Sequence, residues 1–131
     1  MRTFYAAIAF VFIVVFSVTS FAVENGNTNY KAKYERQIGV NRGMIATDAM
    51  IFTWFKQHND YKKYQSIADK VKYLYDELDK AKEAHKNAKE FATKQNWEKA
   101  YKFSKQEWEH LNNIAVKGKK AQDNLKELEG E

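Results

Sequence analysis

From Tyr64 to Leu128 apolar residues recur every three or four positions, and the chain contains no proline to interrupt them. One stripe holds Tyr64, Val71, Leu78, His85 and Ala92 with Ile67, Leu74, Ala81, Ala88 and Gln95. A second holds Trp97, Tyr101, Ser104, Trp108, Leu111, Ala115, Gly118, Gln122 and Leu125. This period is that of a helix with one buried face. The break at Gln95 and Asn96 is too short for anything but a turn between antiparallel neighbours.

Two helices joined there pair residues whose numbers have a constant sum. The pairing sets Ala92 against Trp97, Ala88 against Tyr101, Ala81 against Trp108, Leu78 against Leu111, Leu74 against Ala115, Val71 against Gly118, and Tyr64 against Leu125. Large faces small in most of these rungs, as a close-packed seam requires. One polar rung, His85 facing Ser104, is expected to be a hydrogen-bonded core histidine.

A further helix is expected from about Tyr30 to Gln57, capped by Thr28 or Asn29. Its apolar residues Tyr30, Tyr34, Ile38, Ile45, Ala49, Phe52 and Phe55 keep helical spacing. The short link Gln57 to Asp60, with Asn59 or Asp60 as the next cap, predicts an antiparallel neighbour. Phe52 then pairs with Tyr64, Ala49 with Ile67, Ile45 with Val71, and Ile38 with Leu78. Gly39 and Gly43 have a small-residue spacing that suggests a close crossing or a kink. Met44 to Phe55 is expected to be core, with Met44, Met50, Ile51 and Trp54 as an alternative partner or membrane-surface face.

The beginning of the sequence has a different grammar. Arg2 precedes thirteen uncharged residues, Phe4 to Phe16, and Ser20-Phe-Ala22 supplies small residues at a cleavage position. That pattern predicts a signal peptide over 1–22. Phe4 to Val23 is also long enough to span a bilayer as an uncleaved anchor. A linker over 23–29, a helical domain over 30–128 and a frayed tail over 129–131 complete the expected organisation. The fold class is all-α: an antiparallel three-helix bundle, or a long helical hairpin with an N-terminal signal or anchor helix.

The chemistry on offer is sparse. With no cysteine there is no disulfide framework, thiolate metal site or thiol nucleophile. Ser66 and Ser104 lack an elbow context, and no phosphate-cradling glycine loop occurs. Glu107 and His110 have the Glu-x-x-His spacing of di-iron bundles, but no second copy exists, which makes them weak metal candidates beside a solvated-surface reading. A net charge of +5 is spread over lysines with acidic helix neighbours, so no nucleic-acid partner is expected. Aromatic residues make up 15% of the chain and could line an apolar pocket, although packing accounts for most of them.

The run Ala81-Lys-Glu-Ala-His-Lys-Asn-Ala88 followed by Gln95-Asn-Trp97-Glu-Lys-Ala100-Tyr101 resembles the rhythm of tetratricopeptide-like repeats and of small exported bacterial helical-hairpin proteins. The resemblance covers about Ala68 to Leu111 and implies location more than activity. The expected function is that of an exported, periplasmic or extracellular, non-catalytic helical binding protein. It would bind a protein partner or itself, without a cofactor. The alternative is a small single-pass subunit of a membrane complex, in contact with the bilayer only if the leader stays uncleaved.

Overall fold

The computed structural model describes residues 26–130. The expected leader, its cleavage point after Ala22 and linker residues 23–25 lie outside the described residues. Three helices follow one another: α1, Gly26–Gln57; α2, Gln65–Thr93; and α3, Trp97–Leu128. A 3-10 turn, Asn59–Lys63, joins the first two. The all-α reading is correct. Among the described residues no helix is long and apolar enough to cross a membrane.

The turn at Gln95 and Asn96 forms as the break in periodicity predicts. Gln95 takes the left-handed conformation, φ 59°. Its N–H donates to the Ala92 carbonyl and that of Asn96 to the Phe91 carbonyl, both at 2.9 Å. This pair of bonds satisfies the last carbonyls of α2. The Asn96 side chain then accepts from the Lys99 N–H and caps α3. One residue ends a helix and the next begins another.

Two local expectations are corrected at the other junctions. Helix α1 begins at Gly26, within the expected linker. Neither Asn59 nor Asp60 caps α2. Both fall in the 3-10 turn, and Tyr64, extended and without a side-chain cap, precedes the helix. The hydrophobic demand of the core outweighs capping here, because Tyr61 and Tyr64 pack against the buried cluster of Phe55, Ile67, Val71, Leu74, Ile114 and Leu125.

The largest correction concerns which helix α1 lies on. Its backbone runs beside α3, and parallel to it, rather than beside α2. Tyr34 meets Trp97, Tyr30 meets Tyr101, and Ile51 lies over Gly118. Phe52 does reach α2, but its ring contacts Tyr75 at 4.6 Å, not Tyr64. Ile45 and Ala49, assigned to the α2 interface, are exposed. The buried line of α1 is Val40, Asn41, Met44, Thr47, Asp48, Ile51, Phe52 and Phe55.

Helix α3 therefore buries two faces. Much of the stripe assigned to the α2 seam, Trp97, Tyr101 and Gly118, faces α1 instead. The α2 side is made by positions next to it, including Phe103, which stacks on Phe91, and His110 and Asn113, which reach Glu77. Ala100, Ile114 and Ala121 are wholly enclosed, whereas Trp97, Tyr101 and Trp108 are half-buried. Large amphipathic rings settle at the boundary while small and aliphatic side chains fill the centre. Leu78 is likewise half-buried at the edge of the core, and Leu74 takes the central place. Full burial of a Leu or Ile is worth about 1.5–3 kcal/mol, so Leu74 and Ile114 rank among the strongest anchors.

Gly39 does not mark a close crossing, since a Cβ there would meet nothing within 4 Å. The tight approach is at Gly118, where a Cβ would lie 2.7 Å from Cγ2 of Ile51.

Candidate functional site

A polar layer, buried at Asn41 and Glu107 but open to solvent at His85, which is therefore not the expected core histidine, joins all three helices. Gln37 donates to Asn41 Oδ1 at 3.0 Å, and Asn41 Nδ2 donates to the Ser104 carbonyl and to Glu107 Oε1, both at 2.9 Å. Glu107 Oε2 takes a further hydrogen bond from His85 Nδ1 at 3.0 Å. Because a carboxylate offers only acceptors, this contact places the His85 proton on Nδ1. Glu107 is buried, contrary to its reading as solvated surface. His85 meets Glu107 and not Ser104, whose hydroxyl donates to the Tyr101 carbonyl.

A second carboxylate, Glu77, sits between α2 and α3. It accepts from Tyr73, His110 and Asn113. Burial disfavours its charge, but these three hydrogen bonds and the nearby His110 imidazole outweigh that and hold the carboxyl below its usual range. The bond to Glu77, aided by burial and the carboxylate charge, raises the Tyr73 phenol. Glu107 and His110 thus turn to different partners. Among the described residues no group of three or more acidic, His or Cys side chains could hold a metal ion.

Asp48, unlike Glu77 and Glu107, is a buried carboxyl without partners. Only 2% exposed, it has no hydrogen-bond partner at either carboxyl oxygen, and burial raises its pKa to about 8. The third histidine, His58, stacks on Trp54 and bonds the Trp54 carbonyl through Nδ1 at 2.8 Å.

Space for a ligand lies outside, along the α2–α3 hairpin. A groove of about 470 Å³ is lined by Ser66, Asp69, Lys70, Tyr73, Lys117 and Lys120, with no residue from α1. Three ammonium groups face a single carboxylate there, and Asp69 already accepts from Gln65. The volume falls in the range that encloses small ligands or a side-chain cluster. Tyr73 links this groove to the interior, since its ring is 38% exposed while its hydroxyl bonds Glu77.

The alternative partner face of Met44, Met50, Ile51 and Trp54 is not a single surface. Met44 and Ile51 are core, Trp54 packs on Phe55 and His58, and only Met50 is exposed. No sequence signal singled out the groove. The lysines of Lys117-Gly118-Lys119-Lys120 are visible, and the expected Val71–Gly118 rung sets them beside Lys70 and Tyr73, but periodicity does not distinguish an open groove from a solvated lysine face. No family model matches the chain, nor does any curated protein or solved structure.

Proposed function

We propose that the chain is an exported, non-catalytic binding module that presents the α2–α3 groove to an acidic segment of a protein partner. The observation that carries this reading is where its polar groups are directed. All three histidines and both buried glutamates are engaged across or within helices. The open groove instead offers Lys70, Lys117 and Lys120 around the Tyr73 ring. That combination suits carboxylates flanking an apolar side chain. The rhythm of Ala81 to Tyr101, similar to tetratricopeptide-like hairpins, agrees with a binding role. Export rests on the leader pattern of Arg2, Phe4 to Phe16 and Ser20-Phe-Ala22.

The test has two arms. A photo-crosslinking amino acid in place of Tyr73 should give a discrete protein adduct in the native cells. The adduct should disappear when Lys70, Lys117 and Lys120 are changed to Glu, and none should form from exposed Glu109. Equal adducts from both positions, or none from Tyr73, would overturn the groove. The intact mass of the native protein tests export, with a species beginning at Val23 expected outside the cytoplasm. A full-length species in the soluble cytoplasm would overturn it. The second reading, an anchored single-pass subunit, is favoured by the way the apolar run Phe4 to Val23 leads within three residues to α1.

A further inference from the structure

The parallel course of α1 and α3 brings the N-terminal part of α1 beside the α2–α3 turn, and this arrangement sorts the charge. Residues 29–42 and 84–106 carry ten Lys and Arg against three Glu, a net +7. Residues 43–83 and 107–131 carry eleven against thirteen, a net −2. The positive end also gathers half-buried rings. Lys31 lies over Trp97 at 5.4 Å, Lys33 over Tyr30 at 5.4 Å, Lys105 over Tyr101 at 5.5 Å, and Lys99 over Phe91 at 5.2 Å.

We infer that this end of the bundle docks on an anionic lipid surface. Two observations converge on a bilayer. The charge is complementary to phospholipid headgroups and concentrated at one end of a rod. The rings and ammonium groups are interleaved as suits a water–lipid boundary, where an amphipathic ring lies at headgroup level and a lysine extends past it. Nucleic acid would answer the charge alone.

The inference goes beyond the groove reading and does not depend on it, because Lys70, Lys117 and Lys120 belong to the opposite half. With Trp97 near the lipid, Gly118 stands about 30 Å further out along α3 at 1.5 Å per residue.

The mature chain beginning at Val23, mixed with vesicles of phosphatidylcholine alone or with added phosphatidylglycerol, is treated briefly with an acetylating reagent and mapped by mass spectrometry. Lys31, Lys94 and Lys99 should become several-fold less reactive in the anionic vesicles, and raised salt should reverse the protection. Lys117 and Lys120 should react alike in both. In the Lys94→Glu, Lys99→Glu chain, with helical content unchanged, protection of Lys31 should fall away. Equal reactivity in the two lipids, protection of Lys117 and Lys120 to the same degree, or equal protection by duplex DNA at the same salt would each overturn the inference. None of these outcomes bears on the Tyr73 adduct.

Discussion

Ile51 occupies the space that any side chain at Gly118 would need, with its Cγ2 2.7 Å from where a Cβ would stand. Because Cγ2 is a short branch on a 3% exposed side chain, it has little room to yield. Gly118→Ala should therefore destabilise the bundle by ~1–3 kcal/mol through overpacking, less the ~1 kcal/mol that alanine gains in a helix. Gly39→Ala meets no atoms and should stabilise by about 0.5–1 kcal/mol. Urea melts of both variants check the pair, and a stabilising Gly118→Ala would mean that α1 does not press on α3 there.

Asp48 should make stability fall as pH rises. Its carboxyl goes from an ordinary 3.8 to about 8 on folding, so the folded chain favours the protonated acid. The group adds no pH-dependent loss well below pH 4, weakens the fold progressively between about 4 and 8, and adds no further slope above that. Within that window the loss approaches 1.4 kcal/mol per pH unit. Asp48→Asn should flatten the difference in urea midpoint between pH 5 and pH 7 relative to the parent. Identical slopes in both chains would show that the carboxyl is solvated.

Glu107 ties α1 to α2 through Asn41 and His85. Removing its side chain leaves the buried Asn41 amide short of an acceptor, so Glu107→Ala should cost ~2–5 kcal/mol, combining a lost network with a cavity. Glu107→Gln keeps the volume and one acceptor and should cost distinctly less. Denaturant titrations compare the two, and a loss below ~0.5 kcal/mol for alanine would place Glu107 at the surface.

The left-handed Gln95 carries a steric cost that glycine avoids. Gln95→Gly should stabilise by ~0.5–1 kcal/mol, offset in part by the freedom glycine gains when unfolded. A lowered thermal midpoint in this variant would contradict the turn geometry.

Periodicity and the missing proline made the helices legible, down to the ends at Gln57 and Leu128 and the turn at Gln95 and Asn96. The face each helix presents was less legible. A sequence reading ranks Trp97, Tyr101 and Trp108 as core by their size, yet rings with a polar edge stop at the boundary and leave the centre to Ala100, Ile114 and Ala121.

Charge misleads in the same way. Glu107 reads as solvent-facing because an isolated carboxylate is costly to bury. It is buried with partners on other helices, Asn41 and His85, as Glu77 is with His110 and Asn113. The polar layer of Asn41, Glu107 and His85 could not be read before α1 was placed on α3. The basic end was equally hidden, because residues 29–42 and 84–106 become neighbours only in the folded chain.

An odd number of long helices has a topological consequence of its own. The chain comes in at the end that holds the Gln95 turn and leaves, after Leu128, at the opposite one. Helix α1 alone, with 32 residues, spans about 48 Å. The bundle thus has two unlike ends. Whatever precedes Gly26 and whatever is joined after Leu128 are held apart by roughly the length of a helix, at the two ends of a rod.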